Sequence, residues 1–259
     1  MYFNPASLLT VASAVSCVSA GVAEARRALA ERQNAAPSVN NVQNWKNNFA
    51  LVTFLTGSQG SFTANWYNPP GGNFVVGRGY QPGGDMLVNY TGKFHTTGAA
   101  YLALYGWTRN PLVEYYVIEA MGNHNPSDNS SATQYGCLES DGGTYEIWQK
   151  ERINAPSIEG DHTDFQQYWS IRTSMHVGGT INTGNHFRAW EAAGLALGDH
   201  VYMDIVVEGQ AGGGSATITV GKTPTTSVPN TPTPTNRTAH PAGSCPATAA
   251  ATPTPEPSS

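Results

Sequence analysis

Between about residues 45 and 222 the chain runs in short stretches of alternating apolar and polar positions, cut by Gly, Pro and Asn clusters every eight to twelve residues. A period of two sends successive side chains to opposite faces of a strand, and turn residues at this spacing favour an antiparallel sandwich. The clearest predicted strands are 74–80, 101–107, 112–119, 144–151, 168–172, 200–208 and 216–220. One segment keeps another period: in 185–195, Phe187, Trp190 and Leu195 fall roughly on one side of a helix that Gly194 would end. A single short helix packed on a sheet is therefore predicted.

Two of these strands place a carboxylate on an apolar, aromatic face. In 112–117, Leu112, Glu114 and Tyr116 share one face and Val113, Tyr115 and Val117 the other; in 202–209, Tyr202, Asp204, Val206 and Glu208 share a face. A charge in such surroundings is costly unless it is used. Two glutamates on aromatic-rich strands are what hydrolysis of a glycosidic bond requires, one as acid/base and one as nucleophile or base.

The segments YGWTRNPLVEYYV (105–117), RINAPSI (152–158), FQQYWSIR (165–172) and VVEGQAGGGSATITV (206–220) resemble xylanases of glycoside hydrolase family 11, and the resemblance runs from about Trp45 to Val220. It carries four motifs in order, with the two glutamates 94 residues apart. It implies an all-β fold, a β-jelly-roll sandwich of two curved antiparallel sheets with one short α-helix. It also implies retaining endo-hydrolysis of β-1,4-linked xylan by a secreted monomer that needs no metal or other cofactor. In the family pattern the nucleophile corresponds to Glu114 and the acid/base to Glu208. Retention requires their carboxyls about 5–5.5 Å apart. Burial and the charge of Glu114 would both raise the pKa of Glu208, so that it can donate a proton to the leaving oxygen.

The remaining site residues follow from the same resemblance. Asn73 matches the position that hydrogen-bonds the acid/base residue, where Asn accompanies near-neutral optima and Asp acidic ones; a weakly acidic to neutral optimum is expected. Trp45, 21 residues before Trp66, matches the stacking tryptophan at the glycone end. Tyr101, Tyr105, Trp107, Tyr116 and Tyr202 lie on the functional faces of their strands and would line the cleft, offering flat surfaces to sugar C–H faces and hydroxyls to their edges. Arg152 matches an arginine beside the nucleophile that would hold Glu114 ionised, and Gln167 a substrate-contacting glutamine. Pro156, Ser157 and Ile158 resemble the tip of the thumb hairpin that closes over the polymer. The chain departs from the family where Asn40–Asn44 lack aromatics, where Lys46–Phe49 replace a Gly-rich turn, and where Gln210 stands for a Tyr after Glu-Gly. These departures bear on distal glycone affinity and leave both carboxylates untouched.

Composition narrows the partners. Only 12% of residues are charged and the net charge is −5, without a basic stripe, so nucleic acid is not an expected partner. The seven His show no ligand spacing such as HExxH. Residues 1–20 read as a secretory signal peptide, too short and small-residue-rich for a membrane span, and 21–32 as a propeptide ending at Arg32. Residues 33–222 would form the catalytic domain. In 223–259, 23 of 37 residues are Pro, Thr or Ser and none is aromatic, a composition that cannot bury a core and predicts a solvated tail. Asn89, Asn129 and Asn236 head N-glycosylation sequons. Cys17 would leave with the signal peptide; Cys137, placed in a loop, and Cys245 read as unpaired thiols, with a bond between them as the alternative. Three other readings stand beside hydrolysis of xylan: a non-catalytic xylan-binding protein, a plant-defence elicitor, and a related endoglucanase, the last disfavoured by the PSI thumb.

Overall fold

The computed structural model describes residues 38–127 and 131–221, together with the backbone of 239–240. The expected signal peptide, propeptide and most of the tail, with Cys17, Cys245, Asn129 and Asn236, lie outside the described residues. The elements are β1 (Asn41–Lys46), β2 (Val52–Thr56), β3 (Ser61–Asn68), β4 (Phe74–Tyr80), β5 (Leu87–Thr96), β6 (Ala99–Arg109), β7 (Val113–Met121), β8 (Thr133–Ser140), β9 (Gly143–Ser157), β10 (Gly160–Arg172), β11 (Gly179–Asn182), α1 (Thr183–Ala192), β12 (Asp199–Val220) and β13 (Ala239–His240).

Two sheets share one long strand. The first has the order β1-β4-β12-β6-β7-β10-β9-β8-β13; the second runs β2-β3-β12-β5-β11. The predicted strands 200–208 and 216–220 are thus a single element. The first half of β12 pairs with β4 and β6, and the half from Gly212 onward pairs with β3 and β5. Gly212, at φ 83°, stands where the strand passes from one sheet to the other, a backbone conformation L side chains rarely adopt. The β7–β10 pair is parallel and the other pairs are antiparallel.

Alternation sorts the side chains of the first sheet into two layers. Phe74, Val76, Leu102, Leu104, Tyr115, Met203, Ile205 and Val207 point into the core shared with Phe62, Ala64 and Trp66 of the second sheet and with Ala189, Trp190 and Leu195. Val75, Ala103, Tyr105, Tyr116, Trp169 and Val206 point the other way, to the concave face. The predicted helix is present two to three residues early, and Gly194 follows it at φ 82°. Beneath it, Glu119 is buried among Tyr90, Tyr145 and Arg172; the Tyr145 hydroxyl donates to Glu119 Oε1 at 2.5 Å.

Cys137 corrects the sequence reading twice. It lies inside β8 rather than in a loop, fully buried, and it is disulfide-bonded rather than a free thiol. Oxidation of one core cysteine leaves no mark in the periodicity that predicts the strand. β13 lies against this strand, with His240 opposite Cys137. The Asn89 sequon sits within β5, where the Thr180 hydroxyl donates to Asn89 Oδ1 at 2.6 Å. Among the described residues no helix is long and apolar enough to cross a membrane.

Candidate active site

The concave face of the first sheet forms an open cleft of about 460 Å³. Its floor comes from the central strands. Glu208 projects from β12, Tyr101, Tyr105 and Trp107 from β6, Glu114 and Tyr116 from β7, and Gln167 from β10. The register explains their convergence: Trp107 stands opposite Glu114, Tyr105 opposite Tyr116, and Gln167 beside Glu114. One wall is the β9–β10 hairpin, whose tip carries Pro156, Ser157 and Ile158; Arg152 lies lower on β9. Trp45 on β1, 42% exposed, Asn73 and Tyr202 complete the predicted set, and every predicted site residue lines this one cleft. An exposed ion pair, Arg109–Glu159, joins the hairpin tip to the end of β6.

Glu114 and Glu208 are both buried, at 8% and 5% exposure. Tyr116 links them. Its hydroxyl lies 3.1 Å from Glu114 Oε1 and 3.1 Å from Glu208 Oε2, so those two oxygens are no further apart than twice that distance. A phenol has one proton. If it goes to the Glu114 carboxylate, the second contact is filled by a protonated Glu208 donating to the phenol oxygen. The hydrogen bonding therefore suits one ionised and one neutral carboxyl.

The electrostatics divide the pair the same way. Glu208 is pushed up to about 7, first by burial and then by the charge of Glu114, with Tyr101, Tyr116 and Gln210 drawing it back. Glu114 is also raised by burial, but more groups oppose the rise. Gln167 Nε2 donates to Oε2 at 2.5 Å, the Tyr105 and Tyr116 hydroxyls serve Oε1, and Arg152 adds a positive charge. Both neutral and charge-assisted donors favour the ionised form. The arrangement can hold an acid and an anion side by side across a bound sugar.

Asn73 lines the cleft, yet its Oδ1 is buried without a hydrogen-bond partner. Gln210 stands by both Glu208 and Tyr101 and draws the raised pKa of each downward. Sequence reasoning did not count Gln210 as a site residue, nor Gln43, Val75, His124, Pro126, Lys150, Phe165 and Trp169, all of which also line the cleft. Gln210 follows Glu208 by two residues on β12 and so shares its cleft face. Trp169 stacks on Tyr116 with 6.4 Å between ring centroids and 24° between planes. A repeat of cleft-facing aromatics on neighbouring strands was the available signal for Phe165 and Trp169. His124 and Pro126 come from the segment after β7, where alternation has ended. Among the described residues no three His, Cys, Asp or Glu side chains cluster as a metal site.

Residues 38–219 match the glycosyl hydrolases family 11. The chain is 48% identical over 176 residues to an endo-1,4-beta-xylanase B of Gibberella zeae, covering 68% of this chain and 76% of that protein. It is 42% identical over 221 residues to ethylene-inducing xylanase 1 of Verticillium dahliae, covering 83% of this chain and 97% of the relative. The fold superposes with a TM-score of 0.66 on a solved structure from a comparison of two major endo-1,4-beta-xylanases of Trichoderma reesei, at 39% identity over 71% of this chain and 99% of the other.

Proposed function

The chain belongs to glycosyl hydrolase family 11 and is a xylan-hydrolysing enzyme, and on that premise we propose that it cleaves internal β-1,4-xylosidic bonds with retention of configuration, using Glu114 as nucleophile and Glu208 as acid/base. The observation that carries this reading is the Tyr116 hydroxyl shared between the two carboxyls at 3.1 Å each, a bridge that favours the narrow spacing of retaining enzymes over the wide gap of inverting ones. In the first step protonated Glu208 donates to the glycosidic oxygen as that bond breaks. Glu114 Oε attacks the anomeric carbon and forms a glycosyl ester. Esterification removes the negative charge beside Glu208, one of the two causes of its raised pKa. Glu208, now a carboxylate, takes a proton from water. The water oxygen attacks the anomeric carbon, and Glu114 leaves as carboxylate. Aromatic floor and thumb would hold the polymer, and a narrow cleft would exclude a sugar bearing a C5 hydroxymethyl. Extracellular location and action as a monomer belong to the same proposal.

The test is reducing-sugar release from beechwood xylan and carboxymethylcellulose by wild type, Glu114→Gln and Glu208→Gln. Xylan cleavage lost in either variant, with cellulose untouched, is the expected result. A wild-type protein that binds xylan without cutting it would overturn the reading and leave a sugar-binding protein. A second reading is favoured by the name of the Verticillium relative: the protein would also provoke ethylene release in plant tissue. Infiltrating Glu114→Gln protein into leaves tests it, since ethylene evolution that survives loss of catalysis separates the two activities.

A further inference from the structure

Trp107 is expected from the sequence to contact sugar, but its polar atom is already committed. The indole is 2% exposed, and its Nε1–H donates to the Tyr105 hydroxyl oxygen at 2.6 Å; that hydroxyl donates in turn to Glu114 Oε1 at 2.9 Å. Trp107 and Tyr105 are two residues apart on β6, so both face the cleft, and Trp107 stands opposite Glu114 on β7. The indole ring is fixed from its other side by Phe165, 4.9 Å between centroids.

An indole N–H can only donate, whereas a phenol both donates and accepts. With one lone pair of Tyr105 filled by Trp107, the phenol proton is directed away from it. The acceptor in reach is the Glu114 carboxylate. Without the indole donor, the Tyr105 hydroxyl could turn to neighbouring Tyr202, whose ring centroid lies 6.1 Å from its own.

We propose that Trp107 is a positioning residue for the hydrolysis, setting the direction of a Trp107→Tyr105→Glu114 hydrogen-bond chain that keeps the attacking carboxylate ionised and fixed. The inference rests on the role proposed above for Glu114. Successive donors in a low-dielectric site polarise one another, so the indole strengthens the bond that Tyr105 makes to the carboxylate. The chain acts on the free enzyme, before any sugar is bound.

The test is a double-mutant cycle of Trp107→Phe and Tyr105→Phe, with a parallel titration of the Glu114 carboxyl by 13C NMR in protein labelled at glutamate. Trp107→Phe should lower kcat/KM on xylan roughly three- to tenfold, chiefly through kcat, as loss of one hydrogen bond of ordinary strength implies. It should also move the acidic limb of the pH profile upward, together with the Glu114 titration. In the Tyr105→Phe background the same substitution should change neither. Benzothienylalanine at position 107, which keeps the bicyclic ring against Phe165 and lacks the N–H, should repeat the Trp107→Phe result; wild-type behaviour there would assign the effect to lost packing and overturn the proposal. An equal loss in both backgrounds, or a rise in KM with kcat and the Glu114 titration unmoved, would overturn the proposal. The titration is read without turnover, so a protein inactive on xylan would refute the function above while the hydrogen-bond chain was still tested.

Discussion

Asp204 is a buried carboxyl that the proposed chemistry does not use, and it makes a quantitative prediction about stability. It lies on the same strand face as Glu208 and is 0% exposed. Asn41 Nδ2 donates to its Oδ2 at 2.7 Å, and Oδ1 has no partner. Burial pushes its pKa from 3.8 up to about 7, against the opposing pull of Asn41 and Arg78. Below pH 3.8 both folded and unfolded chains hold the proton and no penalty arises. As the pH rises, the unfolded chain ionises first, so stability falls until the folded carboxyl ionises near pH 7, and is then level. At about 1.4 kcal/mol per pH unit over that interval, the ionised Asp204 withdraws on the order of 4 kcal/mol. Asp204→Asn removes the titration while keeping an oxygen for Asn41. Urea unfolding of wild type and variant at pH 4 and pH 8 gives the measurement. The variant should gain about 4 kcal/mol relative to wild type between the two pH values, whatever constant packing cost the amide adds. A difference that stays within about 1 kcal/mol across that range would refute the reasoning, because Asp204 would then ionise as readily in the fold as in the open chain.

Other consequences follow from the same geometry. Because Glu208 must be protonated to act and titrates at about 7, kcat/KM on xylan should fall steeply above that pH; in Glu114→Gln, which removes a neighbouring charge, the Glu208 titration followed by NMR should move downward. Tyr116→Phe strips one hydroxyl from both carboxyls and should lower kcat at least tenfold, while costing no more than the about 1.5–3 kcal/mol that hydrogen bonds to charged groups contribute, read by urea unfolding. Arg172→Met leaves Glu119 buried without its cation and should cost about 3–5 kcal/mol in urea unfolding, well above a surface change. Reduction of the Cys137 disulfide should lower the thermal midpoint of the non-reduced protein, with about 2–4 kcal/mol lost, and non-reducing peptide mapping should place Cys137 in a cross-linked pair.

The functional centre was legible because its strands obey a period of two on an apolar background. Glu114 and Glu208 stand out in 112–117 and 202–208 since they share faces with apolar and aromatic residues such as Leu112, Tyr116, Tyr202 and Val206, and family resemblance then supplied the roles. The second sheet was less legible. β3 and β5 alternate buried Phe62, Ala64 and Trp66, or Val88 and Tyr90, with hydroxyl and amide side chains, and Gly92 interrupts the second pattern. The glycines between Gly209 and Gly214 look like the end of a strand, but here they let one strand cross between sheets with its hydrogen bonding continued. Gln210 lies on the cleft face by the same period of two as Glu208, and was missed because the glycines that follow hid the continuation of the strand. The Trp107 hydrogen bond was hidden for a different reason: a cleft-facing indole reads as a sugar platform until the position of its N–H is known.

Trapping the covalent intermediate tests most directly whether Glu114 is the attacking group. Wild-type protein incubated with a 2-deoxy-2-fluoro-xylobioside carrying a good leaving group should gain the mass of one fluoroxylobiosyl unit. Proteolysis and fragmentation should place that mass on Glu114. No adduct under conditions where xylan is cleaved, or an adduct on another residue, would contradict the assignment.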